Sequence, residues 1–167
     1  MSLAIALLAL GAGACAVPAE EASTQAALPY AAFDSRSGPY GWRALSASGC
    51  VDAAIALLQR YRDANPTRLG ADEARELAFH VGQALAMAGR EPESIASFEA
   101  AQGADATPEW RTYVEATLAF LRRDAAALAQ ARSRYAALAP GSMRLRIIDG
   151  FVACPDAGYA RAAHCAM

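Results

Sequence analysis

"GREPESIASFEAAQGADA", residues 89–106, decides the fold. It opens on a glycine and sets Glu91 and Glu93 where a helix N-terminus favours negative charge. Ile95, Phe98 and Ala101 then recur at helical spacing, the mark of a helix with one buried face. Two other stretches share this layout: "GCVDAAIALLQRYRDANP" (49–66) and "RRDAAALAQARSRYAALAP" (122–140). In the first, Ile55, Leu58 and Tyr61 take the apolar places. In the second the places fall to Ala129, Arg132 and Tyr135, a degenerate copy. Pro66 and Pro140 close two of the stretches at the same offset, and Pro108 closely follows the third.

A second helix precedes each stretch. "ADEARELAFHVGQALAMAG" (71–89) starts with Asp72 as N-cap and stops at Gly89, a suitable residue just past a helix end. "TPEWRTYVEATLAFLRR" (107–123) has Thr107 as N-cap and Pro108 at the first helical position. "PYGWRALSASG" (39–49) is a shorter version. Helix, tight turn and helix, renewed after about 34 residues, resembles the tetratricopeptide repeat over residues 38–140. The unit at 76–106 carries the resemblance best, with Val81, Gly82, Leu85, Gly89, Ser94, Phe98 and Ala101 on signature positions; Ser94 stands where alanine is usual. In the last unit Arg123 replaces the turn glycine and Arg132 the packing aromatic. "TRLGAD" (67–72) adds about six residues between the first two units. The resemblance implies an all-α fold: a short right-handed stack of antiparallel helix pairs, about three units. Residues 141–167 are then its C-terminal cap. Ser142 is that segment's N-cap, Asp149-Gly150 is a point where its helix breaks, and "PDAGYARAAHC" forms a last short turn of helix.

Apolar residues make up 55% of the 167 and charged residues 19%, which argues against a disordered chain. Alanine dominates the apolar fraction, favouring closely packed helices. The net charge of -2 offers no basic field for nucleic acid, and every basic residue is arginine.

Leu3 to Ala14 is an apolar run too short to span a bilayer and fits the core of a secretory signal. No Lys or Arg precedes it. Ala12-Gly13-Ala14-Cys15 resembles the lipobox of bacterial lipoproteins, with Ala12 where leucine is usual. That resemblance implies a signal over 1–16, lipidation of Cys15 and anchoring through acyl chains. The alternatives are cleavage after Ala14 or Ala16 without lipid, and an uncleaved segment. Residues 17–37, small and polar with two prolines, are expected to be a flexible tether.

Cys154 and Cys165 bracket ten residues, and a disulfide there would pin the tail in an oxidising compartment. Cys50 is a small buried hydrophobe, a partner for a tail cysteine, or a reactive thiol. If all four cysteines persist, three pairings are open. Cys154, His164 and Cys165 lack a fourth ligand at a suitable spacing, so no metal and no cofactor is expected. His80, between Phe79 and Val81, reads as a hydrogen-bonded packing residue. No phosphate loop, zinc-protease motif or nucleophile elbow is present, so no catalytic residue and no enzyme is expected.

In tetratricopeptide proteins the first helix of each unit lines a groove for a peptide. Carried over, the groove positions are Arg36, Arg43 and Ser46, then Glu76, Phe79, Gln83 and Met87, then Trp110, Tyr113, Thr117 and Phe120. The alternative is that the cap covers Trp110, Tyr113 and Phe120. The resulting expectation is a bacterial cell-envelope interaction module, periplasmic or anchored to the outer membrane, binding a protein or peptide. The alternatives are a thiol-dependent assembly factor using Cys50 and a self-associating structural protein.

Overall fold

Alanine-rich segments punctuated by Gly and Pro form helices because alanine costs no side-chain entropy and the breakers fix the ends. The computed structural model describes residues 15–167 as ten helices, with no strand among the described residues. These are α1 (Ala19–Ala26), α2 (Tyr30–Asp34), α3 (Trp42–Ala47), α4 (Val51–Ala64), α5 (Ala71–Met87), α6 (Glu91–Ala100), α7 (Pro108–Leu121), α8 (Ala125–Leu138), α9 (Met143–Ala153) and α10 (Tyr159–Ala163). All but the last two residues of the expected signal lie outside the described residues. None of the described helices is long and apolar enough to cross a membrane.

The same turn joins α3 to α4, α5 to α6 and α7 to α8. The N–H groups of Cys50, Arg90 and Asp124 donate to the carbonyls of Leu45, Leu85 and Ala119 at 2.8, 2.9 and 2.9 Å. This six-residue closure places a left-handed residue just past the helix end. Gly49 (φ 83°), Gly89 (φ 74°) and Arg123 (φ 58°) are those residues. Arg123 therefore takes up the glycine's conformation as well as its place. The paired helices pack on each other across these turns.

Two apolar cores meet at α5. Leu77, Val81, Ala84 and Leu85 face the core built from α1 to α4, around Phe33, Trp42, Leu58 and Tyr61. Phe79 and Ala86 face the core built from α6 to α10, around Phe98, Tyr113, Phe120 and Phe151.

Four sequence expectations change. The expected tether is folded: Pro18 and Pro29 immediately precede α1 and α2, and Ala22, Gln25, Tyr30 and Phe33 are buried. The Phe33 ring stacks on Tyr61 at 3.8 Å. Tyr61 Oη donates to the Leu28 carbonyl at 2.9 Å, and Asn65 Nδ2 to that of Ala26 at 2.9 Å. Helices of eight and five residues are too short to show a period, so their prolines read as loop. In α8 the buried face is Leu128, Ala131 and Tyr135; Ala129 and Arg132 are exposed, and Arg132 pairs with Asp149 at 2.8 Å. Asp149-Gly150 does not break α9. Gly150 is buried where a Cβ would collide with the Ala162 carbonyl of α10, so it serves close approach. The N-cap of α5 is Gly70, whose N–H donates to Glu73 at 3.0 Å, rather than Asp72. Thr107 and Ser142 do cap α7 and α9, accepting from Trp110 and Leu145.

Candidate functional site

The stripe Glu76, His80 and Gln83 runs along one side of α5 at helical spacing. Asp34, the last residue of α2, approaches it, and so does Arg43 from α3. His80 Nε2 lies 3.4 Å from Asp34 Oδ1 and 3.9 Å from Glu76 Oε1. Arg43 Nη2 donates to both Asp34 oxygens at 2.9 and 2.7 Å and sits 3.3 Å from His80 Nε2. Trp42 Nε1 donates to Asp34 Oδ1 at 3.2 Å, and the Trp42 ring packs 4.7 Å from the imidazole. On the other side of the ring, His80 Nδ1 is 3.0 Å from Gln83 Oε1. That carbonyl oxygen only accepts, so Nδ1 carries the proton and the Nε2 lone pair of the neutral ring is left to accept from Arg43 Nη2, beside the carboxylates. Burial holds the imidazole below the ordinary histidine range; Arg43 adds to this, while Gln83, Asp34 and Glu76 oppose it.

Beyond Glu76, α5 borders a pocket of about 320 Å³ lined by Asp72, Arg75, Glu76, Thr107, Trp110 and Arg144. Trp110 is half-buried and its indole N–H donates to the Ala101 carbonyl at 2.8 Å. The Arg144 guanidinium, from α9, lies 5.3 Å from the ring centres of both Trp110 and Tyr113. It is held by those rings and pairs with no carboxylate among the described residues. A larger concavity of about 670 Å³ lies between α1 and α4, with an apolar wall of alanines, Val17 and Leu57 and a polar edge of Gln59, Arg60 and Asp63.

The groove residues expected from sequence are divided by this arrangement. Phe79, Tyr113 and Thr117 are buried and unavailable to a ligand. Phe79 packs on Phe98 and Tyr113, and Thr117 Oγ1 donates to the Tyr113 carbonyl within α7. Residues of α9 and α10 cover this part of the molecule. Phe151 stacks on Phe120 at 4.5 Å, and Tyr159 packs on Phe98 while its hydroxyl meets Gln83 Nε2 at 3.4 Å. Burial pushes the Tyr159 phenol up to about 12. Arg36 is paired with Glu21 at 2.6 Å and Arg43 with Asp34. Met87 is exposed at the far end of α5, and Trp110 stays partly open.

Cysteine pairing is local at the tail and long-range at the front. Cys154 and Cys165 are bridged with Cα atoms 6.3 Å apart, and Cys15 is bridged to Cys50 at 5.2 Å. A sulfur in a disulfide carries no lipid, so lipidation of Cys15 and this bridge are exclusive fates of one atom. Cys50 is buried at the N-cap of α4 and is not a free thiol in this state.

No family model matches the chain, and comparison with curated proteins and with solved structures likewise gave no match. The residues that sequence reading missed are Asp34 and the partnership of Glu76 with His80. A Glu and a His four apart on a helix was the available signal. Asp34 carried none, because its segment read as a tether.

Proposed function

We propose that the chain is an exported interaction module of tetratricopeptide-like build that binds a partner protein beside Trp110. The repeated turns at Gly49, Gly89 and Arg123, each with the same backbone closure, support the repeat architecture. The observation that carries the binding reading is Arg144 over the half-buried Trp110, with no carboxylate partner among the described residues. Tryptophan and arginine are favoured interface anchors, and a cation resting on aromatic rings is ready for an acidic side chain. Because the cap fills the Tyr113–Phe120 end, the binding surface is the pocket end of the inner face rather than a groove along its whole length. Two disulfides support an oxidising compartment, such as the periplasm. Membrane attachment through Cys15 is the state in which Cys50 becomes a free thiol.

The test is site-specific photocrosslinking from Thr107 in cells that export the intact protein. A discrete crosslinked partner is expected, and Trp110→Ala or Arg144→Glu should abolish the crosslink. A crosslink indifferent to both substitutions, or no discrete product, overturns the reading. Concentration-dependent sedimentation of the purified protein would instead favour self-association.

A further inference from the structure

The trio Asp34, Glu76 and His80 is held as ligands are held. Each offers one donor atom, and the three atoms lie within 4.8 Å of one another. Zinc bonds to carboxylate oxygen and imidazole nitrogen of about 2.0–2.2 Å set donors in a tetrahedron about 3.4 Å apart. The His80–Asp34 edge already measures 3.4 Å and the His80–Glu76 edge 3.9 Å. Glu76 is half-exposed and free to rotate through the remainder, whereas His80 and Asp34 are fixed. Their fixing contacts come from outside the trio. Gln83 holds Nδ1 and so presents the Nε2 lone pair, and Trp42 donates to the Asp34 carboxylate. Outer contacts of this kind orient metal ligands and select the imidazole tautomer.

A second observation stands apart from the ligands. The Tyr30 hydroxyl, on α2 four residues before Asp34, is buried and has no hydrogen-bond partner among the described residues. Tyr30 and Asp34, four residues apart, lie on the same face of α2. A buried hydroxyl without a partner carries a desolvation penalty that a nearby water or anionic ligand removes. Water on a cation held by the trio would be that partner.

We propose that Asp34, Glu76 and His80 bind a divalent first-row transition ion of the zinc class. Two carboxylates and a neutral imidazole balance a charge of +2, and this mixed oxygen and nitrogen set suits zinc, cobalt or manganese better than a soft ion. Arg43 now supplies the positive charge facing the trio. Its side chain is half-exposed, so it can turn to solvent when the ion enters. Arg43 is thus a competitor for the site rather than a part of it. This inference is independent of the partner surface at Trp110.

The experiment is calorimetric titration of Zn²⁺ into the full, disulfide-bonded protein after chelator treatment, with Co²⁺ absorption as a second readout. One equivalent is expected to bind. Glu76→Gln, at a half-exposed position that leaves the fold intact by circular dichroism, should weaken binding by at least about tenfold. Arg43→Ala should tighten it several-fold, a change that non-specific surface binding would not show. Absence of stoichiometric binding, or an affinity that Glu76→Gln leaves within twofold, overturns the site. Weaker binding by Arg43→Ala overturns the competition.

Discussion

Ser94 Oγ donates a 2.8 Å hydrogen bond to the carbonyl of Gly82, joining the first turn of α6 to the middle of α5. Both residues are buried, and the missing side chain at Gly82 leaves room for the Phe98 ring. The hydroxyl that departs from the usual alanine of the resemblance thus ties together the two helices of the best-matching unit.

A Cβ at Gly82 would stand 3.1 Å from the Phe98 ring, which is wholly buried and has little room to yield. Overpacking of this kind costs about 1–3 kcal/mol, partly offset by the better helix propensity of alanine. Gly82→Ala should therefore lower stability by up to about 2 kcal/mol in urea unfolding. A gain in stability would show that α6 slides freely on α5.

The left-handed turn residues should respond differently. Gly89→Ala places a Cβ at φ 74° and should cost about 1–2 kcal/mol. Arg123→Gly relieves the same penalty. It loses a 2.8 Å bond to the Pro155 carbonyl and an exposed pair with Glu91, so its stability should stay within about 1 kcal/mol of the parent. Thermal melts of the two variants check the contrast.

Phe33 measures how firmly the front segment is docked. It is 1% exposed against Tyr61, and Phe33→Ala should cost about 3–5 kcal/mol if the core is two-sided as described. Limited proteolysis of the parent should spare residues 17–37. Rapid cleavage there, with no stability change in the variant, would restore the tether.

The two bridges close loops of different length, with cysteines 35 and 11 residues apart. In the chain-entropy model the longer closure stabilises by about 4 kcal/mol and the shorter by about 3. Replacing Cys15 and Cys50 together by serine should lower the melting temperature more than replacing Cys154 and Cys165. Intact mass before and after alkylation reads the pairing itself. An acylated Cys15 would remove the first bridge.

Arg75 joins the start of α5 to the loop before α7, pairing with Asp72 and, at 2.7 Å, with Asp105. The hydrogen bond from Arg75 holds the Asp105 carboxyl below its ordinary 3.8, helped by a backbone bond and the Arg75 charge. A carboxylate with a depressed pKa contributes stability above its unfolded value and loses it as pH falls through the folded one. That window lies below pH 3.8. Carboxyl NMR titration should place Asp105 below 3.8, and Arg75→Gln should bring it back up. An unchanged titration would show that the pair does not persist in water.

The helices α4 to α9 were legible because each is long enough to repeat an apolar place, and most of their turns carry glycine, proline or a capping hydroxyl. Local chemistry also showed Thr107 and Ser142 as caps. The degenerate stretch 122–140 misled at its centre: with alanine on every side of α8, hydrophobicity alone does not fix which alanines turn inward. Only the neighbours decide, and they select Leu128 and Ala131.

The sequence by itself determined an all-helical chain and the turns between the paired helices, and it left the cysteine pairing among three alternatives. Tertiary structure decided what lies between these elements. It folded α1 and α2 onto Tyr61, spent Phe79 and Tyr113 on the core, packed Phe151 and Tyr159 against Phe120 and Phe98, and brought Asp34 to His80. Helix propensity and capping act within about one turn of chain and are written locally. Which face is covered, and which distant carboxylate meets an imidazole, depends on packing between segments far apart in sequence, and no local pattern encodes it.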